Sequence, residues 1–521
     1  MKLFFTLFIV TFFYKFISAQ NTFQKIFRGG DGQSVEQTLD SGFIIAGVRN
    51  KGNGDRDVYL IKTDSNGDTL WTKTFGGILA DEAFSIVQTI DLGYIVVGQT
   101  KSFGAGNIDI YVIRTNQVGD TIWTKTYGGA LDDLAFSIQQ TNDNGYIIAG
   151  ATQSFGAGSS DIYLIKISPN GNIIWTKSFG GIAYDYAKAV KQTIDGGYII
   201  LGSTGSFGAG NWDVYLIKTD QNGDSLWTKV YGGTGSDNGN SIVENNDGGF
   251  IIAGYTNSYG AGSEDFYLIK TNIVGDTLWT KVYGGQCSDL AFNLQQTNDS
   301  GYIITGRTES CIHTYKFVYL IKTNSDGDTL WTRTYGTINA DLSYFNHGFF
   351  VKQVNDSGYI IAGNTQINHV EYVYLIKTDS NGDNYCNQGN TTTFTGSTSS
   401  HVSRTHSIVS TGGTVTNPPT ILSSGGFVGI PCSTLGFKDI ITKNSILFSP
   451  NPFTDEISIK ETKKNGITLI FDMAGKEILR QKTIDGETKI RTTYIKSGFY
   501  FLNYINDTEN KSVKVKILKI N

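Results

Sequence analysis

Charge is scarce in this sequence. Asp, Glu, Lys and Arg make up 17% of its 521 residues, below the roughly 25% of an average soluble domain. A basic excess is absent too. Lys and Arg number 42 against 47 Asp and Glu, a net charge of −5, which excludes the electrostatic footprint of a nucleic-acid binder. Proline occurs 6 times and cysteine 4 times. Beyond residue 20 no apolar run approaches the ~18–20 residues that span a bilayer. With 13% aromatics, the chain is also unlike a disordered one. Glycine is what abounds: 63 residues, about 12% against a usual ~7%. Many short strands joined by tight turns would have this composition.

The first residues read as a secretory signal peptide, 1–19. Lys2 precedes an apolar stretch at 3–13, and Ser18-Ala19 offers small residues for cleavage after Ala19. Lys15 argues against a retained membrane anchor. Export favours disulfides. Cys287, Cys311, Cys386 and Cys432 allow three pairings. Nearest-neighbour pairing, Cys287–Cys311 and Cys386–Cys432, is the expectation. The chain has no C-x-x-C, so neither a zinc knuckle nor a thioredoxin-type site is supported.

A repeat dominates the next 360 or so residues. Trp71, Trp123, Trp175, Trp227, Trp279 and Trp331 are each 52 apart, as are Tyr59, Tyr111, Tyr163, Tyr215, Tyr267 and Tyr319. Tyr374 adds a seventh copy. One unit reads WTKTYGG (123–129), FSIQQT (136–141), YIIAGAT (146–152) and DIYLIKI (161–167), separated by Asn-, Asp- and Gly-rich turns. Four short strands in this span is the period of a propeller blade.

The count of strands implies closure. The YIIAG and YLIKT strands each occur seven times, but the Trp strand only six. After YLIKTDSNGD (374–383) the pattern stops. Phe23-Gln24-Lys25-Ile26-Phe27-Arg28-Gly29 matches WTKTFGG and supplies the missing strand from the start of the chain. A ring explains this offset, whereas an open solenoid does not. The expected fold is therefore all-β: a seven-bladed β-propeller over 20–386, with FSIQQT innermost and WTKTY outermost.

Residues present in every unit read as structure. Asp81, Asp133, Asp185, Asp237, Asp289 and Asp341 follow a GG pair (Gly-Thr before Asp341) and are placed to accept loop backbone N–H groups. The DSNGD segments (64–68, 379–383) lack the acidic twelfth residue of an EF-hand and read as hairpin turns. SFGAG (102–106, 154–158, 206–210) has no strand-to-helix setting for phosphate. The repeated Trp reads as packing. The strand, turn and Trp of YLIKTNSDGDTLWTRTYGT (319–337) resemble the blades of quinoprotein-type propellers, and the whole unit is similar to the Gly-Tyr-Ile-Ile repeats of secreted bacterial propellers. That resemblance implies the fold and no quinone. Neither a cofactor nor a resident metal is expected.

Departures from the repeat mark the candidate site. Asp57, Asp109, Asp161, Asp213 and Asp265 give way to Phe317 and Tyr372 in units six and seven. There SFGAG is replaced by ESCIHTYK (309–316) and QINHVEY (366–372), and the loop with Tyr344 and Phe345 lengthens. His313, Tyr315, Lys316, His347, His369 and Glu371 thus fall on one expected face. Two readings stand: a ligand patch carried on rigid blades, with zinc on the histidines as a variant, or drift beside the closure seam.

The tail has two parts. Residues 387–443 are rich in Ser, Thr, Gly and Asn and read as a linker or irregular extension. Residues 444–521 hold seven short alternating segments, expected as a small β-sandwich. This part resembles the C-terminal sorting domain of type IX secretion in Bacteroidota. The matches are Ser449-Pro450-Asn451-Pro452, then Asp472, Gly475 and Lys476 after a strand, then Gly498 and Tyr500, and a basic end at 514–519. The resemblance implies passage across the outer membrane, the secretion machinery as partner, and release or attachment at the cell surface.

The expectation for the whole is an exported binding module for a glycan or protein. The alternatives are an adhesin without a small ligand and an extracellular hydrolase or lyase. No nucleophile motif such as G-x-S-x-G stands out, so catalysis is not expected.

Overall fold

The computed structural model describes residues 21–384 apart from 53, 246, 310–314, 337–344 and 368, and short segments beyond 384. The signal peptide expected at 1–19, Asp341, Tyr344, Cys311 and Cys386 lie outside the described residues. Two compact units divide the chain, 1–433 and 434–521.

The first unit is a seven-bladed propeller. Blade 3 shows how each is built. Asp133–Gln140, Tyr146–Thr152, Asp161–Ile167 and Ile173–Gly180 pair antiparallel in chain order, from the inner to the outer strand. Both middle strands are buried along their whole length. They read as near-continuous apolar runs because each face of a blade packs on a neighbour. One core cluster accordingly joins Ile95 and Val97 of blade 2 to Tyr146 and Ile148 of blade 3.

Blade 7 combines both ends of the repeat region. His347–Gln353, Tyr359–Ile367 and Val370–Thr378 are completed by Phe23–Arg28, in register from Phe23↔Lys377 to Arg28↔Tyr372. Successive inner strands touch all the way round, the first meeting the seventh. The borrowed strand read from the sequence is therefore the closure.

Between blades, each Trp lies on a turn of the next. A Cβ on Gly223 would sit 2.7 Å from the Trp175 ring, and Gly223 has φ +77°. The turn itself is held by Asp220, whose Oδ1 accepts from the amides of Asn222 and Asp224, each at 2.8 Å. A salt bridge from Lys177 Nζ to Asp224 Oδ1, 2.7 Å, completes the joint. A second ring of ion pairs lies within the blades. Lys62, Lys166, Lys218, Lys322 and Lys377, all buried, reach the turn aspartates Asp40, Asp143, Asp195, Asp299 and Asp356 at 2.8–2.9 Å.

The segment expected as a linker or extension adds strands to the blades. Gln388–Gly389 pairs with the outer strand of blade 6, Phe394–Gly396 with that of blade 5, and Ile408–Ser410 with that of blade 3. Thr414–Thr416, Ile421–Ser423 and Val428–Cys432 follow on blades 2, 1 and 7. The chain so runs back around the circumference as a belt, covering edges that would otherwise offer unpaired backbone. Strands this short leave no alternation to read, which is why composition alone suggested a linker.

Among the described residues the second unit has seven strands in two antiparallel sheets. Leu447–Ser449, Glu456–Glu461 and Gly486–Arg491 form one; Gly466–Phe471, Glu477–Thr483, Gly498–Asn506 and Ser512–Lys519 form the other. These are the seven segments expected from alternation. Of the sorting-motif residues, Pro450, Asn451, Pro452, Asp472 and Gly475 lie outside the described residues. Gly498 opens its strand, Lys476 adjoins another, and the Tyr500 hydroxyl donates to the Lys496 carbonyl at 2.8 Å.

Candidate functional site

The repeated aspartates are occupied with their own loops. Asp133 Oδ2 accepts from the Gly129 amide and the Ser154 hydroxyl, both at 2.7 Å. Asp81, Asp185 and Asp237 repeat the pattern. The partner ring takes the SFGAG loop: Gly106, Gly210 and Gly262 donate to Asp109, Asp213 and Asp265 at 2.9–3.0 Å. Four blades, 2 to 5, share this arrangement, so it distinguishes no single site. Burial, reinforced by the facing aspartate, pushes Asp109 and Asp213 up to about 6.

The asymmetric feature lies on the propeller axis. In every inner strand the pairing register shifts at one residue, as between Ala135 and Ser137. Such a bulge leaves a residue unpaired and re-aims it. The seven bulged residues are Gln33, Phe84, Phe136, Lys188, Asn240, Phe292 and Phe349. All of them line one cavity of about 630 Å³. Two pairs of phenyl rings stand in its wall, Phe84–Phe136 at 5.2 Å and Phe292–Phe349 at 5.4 Å. Lys188 Nζ lies 3.5 Å from the Phe136 ring centre and 5.3 Å from that of Tyr186. Lys188 is half-buried, partly open to the channel. Burial holds it down to about 8. One layer away, Lys352 pairs with Glu36 at 3.3 Å, and Lys191 also lines the wall.

The residues picked from the variant loops fall in two places. His347 begins the inner strand of blade 7 and joins the channel rim. Its ring is 5.5 Å from Phe349 and 6.3 Å from Phe292, and its Nε2 is 3.5 Å from Arg307 Nη1. Burial first, then Arg307 and Lys316, lowers it to about 3, so it is neutral at ordinary pH. Lys316 Nζ lies over Phe345 at 4.8 Å, with Tyr315 preceding it in the chain. His313 lies outside the described residues.

His369 and Glu371 belong to the second place. The blade 7 hairpin continues two pairs beyond Thr365↔Tyr372, and His369 sits at its exposed tip with φ +62°. Blade 1 also has a long hairpin, paired out to Gly52↔Asp55, in place of SFGAG. Between the two is a cavity of about 670 Å³ lined by Arg28, Arg49, Lys51, Arg56, His369 and Glu371. Much of its charge is internally satisfied: Lys51 pairs with Asp57, and Arg56 with Glu82 at 3.0 Å. The departure from the repeat therefore spans blades 6, 7 and 1. Among the described residues no group of three or more His, Cys, Asp or Glu could hold a metal. Cys287 is disulfide-bonded.

Reading loops for variation missed the bulge ring. The signal was available in the inner strand, where the 52-residue step carries Phe84, Phe136, Lys188, Asn240 and Phe292 at one position.

The fold and tail define an exported repeat propeller that carries a sorting domain. Residues 448–519 match the secretion system C-terminal sorting domain family. This is the type IX sorting domain, and it directs the chain to the cell surface or to secretion. A stretch of 228 residues is 22% identical to the regulatory protein FlaEY of Caulobacter vibrioides, covering 38% of this chain and 24% of that protein. The chain thus spans about a quarter of that relative. PorZ of Porphyromonas gingivalis, described as an essential bacterial surface component of the type-IX secretion system, is similar in structure. The match has a TM-score of 0.38 and 12% identity, and covers 94% of this chain and 60% of that one. A likeness of that size carries no argument about role.

Proposed function

We propose that this protein is an extracellular recognition propeller that binds a glycan or protein ligand at its central channel. The supporting observation is the bulge ring, where a rigid, repeated scaffold presents four phenylalanines with one Gln, one Lys and one Asn around one cavity. The described repeated aspartates are tied to loop amides and equivalent from blade to blade, so they mark no site unique to one blade. The secretion machinery is the partner of the sorting domain alone.

The test is a panel of extracellular glycans and proteins against the full chain. A saturable hit weakened at least tenfold by Phe136→Ala supports recognition at the channel. Saturable binding indifferent to that change moves the site to the hairpins of blades 6, 7 and 1. Adhesion without any saturable ligand, or turnover of a panel member, overturns the reading in favour of the structural or enzymatic alternative.

A further inference from the structure

Lys188 departs from the way this propeller treats its other framework lysines. Each buried blade lysine has a carboxylate: Lys62, Lys166, Lys218, Lys270, Lys322 and Lys377 all lie 2.8–2.9 Å from a turn aspartate. Among the described residues no carboxylate comes within ion-pair distance of Lys188. Its neighbours are the faces of Phe136 and Tyr186. Aromatic faces stabilise a cation by ~0.5–2 kcal/mol, which only partly offsets the loss of solvation on enclosing it.

The rest of the channel strengthens the demand for an anion. Glu36, the one acid among the described residues that line the cavity, is already engaged by Lys352 and by the Gln88 amide at 2.8 Å. Lys191 adds a further positive charge to the wall. Two polar groups of the neighbouring wall donate elsewhere. Asn240 Nδ2 donates to the Ala291 carbonyl at 2.8 Å, and the Tyr186 hydroxyl donates to Asn238 Oδ1 at 2.8 Å. What remains is one ammonium beside two phenyl pairs, in a cavity of small-ligand size.

We propose that the channel binds a ring-borne carboxylate, with the carboxylate on Lys188 Nζ and the ring among Phe84, Phe136, Phe292 and Phe349. This rests on the reading of the channel as a recognition site and names the chemistry it selects. The same group can come from an aromatic acid or from the acidic sugar of a glycan.

Titration of the full chain with benzoate, its neutral isostere benzamide, glucuronate and glucose tests this. Either acid should bind at least tenfold tighter than its neutral partner. Lys188→Met should remove that preference, Lys188→Arg should keep most of it, and Lys191→Met should leave it. Which acid binds tells the aromatic source from the sugar. Thermal midpoints matched to wild type show that the variants fold. Equal binding of acids and neutral partners, no binding by any of the four, or a preference that survives Lys188→Met overturns the assignment. A panel hit that needs Phe136 but ignores Lys188 overturns it while leaving recognition at the channel standing.

Discussion

The ring of Phe23 lies against Gly67, where a Cβ would come within 2.7 Å of it, just as Trp71 lies against Gly119 and Trp175 against Gly223. Two residues on, Lys25 Nζ meets Asp68 Oδ1 at 2.8 Å, as Lys73 meets Asp120 at 3.0 Å. The seam of the ring is therefore an ordinary blade joint, made by residues more than 300 positions from the rest of their blade. Phe23 is 3% exposed, so Phe23→Ala should cost about 3–5 kcal/mol. Denaturant unfolding measures it. A midpoint equal to wild type would show that the seam does not limit stability.

Trp175 is only half-buried, on the circumference rather than in the blade core. It meets Tyr198 edge-on at 5.8 Å as well as Gly223. Trp175→Ala should therefore cost about 2–3 kcal/mol, less than the ~3–5 of a fully enclosed aromatic. Gly223→Ala should cost more than about 1 kcal/mol, because its positive φ is strained for alanine and its methyl would strike the indole. Since both changes damage one joint, the double variant should fall short of the sum. Full additivity would mean the two do not touch in solution.

The belt predicts where protection and redox sensitivity lie. Cys432 is in register with Gln24, at the end of blade 7 where the repeat gives out at Asn384. The expected pairing is nearest-neighbour, Cys386–Cys432 and Cys287–Cys311. Peptide mapping without reductant should recover both. Cys432→Ser should raise amide exchange in Val428–Cys432 and in the outer strand Phe23–Arg28, and leave the inner strands unchanged. Crossed pairs in the map would overturn the pairing.

Stability should peak on the acid side. Burial raises Asp109, Asp213 and Asp289 from an ordinary 3.8 to about 6. A carboxyl whose folded pKa exceeds its unfolded one stabilises the fold below about pH 4, and this is lost as pH rises through 6. The contribution is at most about 3 kcal/mol for each. For Asp40, Asp143, Asp195 and Asp299, burial alone would raise the pKa, but bonds from a threonine, a lysine and a glycine amide outweigh it and lower it. Their stabilisation is present above pH 3.8 and lost as pH falls further. His347, lowered to about 3, opposes the first group between pH 6.5 and 3, one residue against three. The thermal midpoint should be highest near pH 4 and lower at pH 7. Asp109→Asn should flatten that slope, and a midpoint rising steadily from pH 4 to 7 would contradict it.

Much of the architecture could be read along the chain because the propeller repeats a local pattern. Trp175, Tyr163 and Asp133 recur at a fixed step, and a blade needs only its own 52 residues to form its strands. Even closure was legible, since the strand beginning at Phe23 is a recognisable copy displaced from its set. The belt was not, because strands as short as Thr414–Thr416 exist only through the outer edges they join.

The candidate site divides along the same line. Sequence alone determined that His347, Lys316, His369 and Glu371 depart from the repeat, and that 444–521 is an address. The tertiary structure decided that His347 joins the channel rim while His369 rides a hairpin tip, and that Lys188 stands among phenyl rings on the axis. The reason is physical. Periodicity records which residues a blade needs to fold, whereas a bulge turns one side chain out of that periodicity toward partners on other blades. What such a residue meets is set by ring closure, which no single repeat contains.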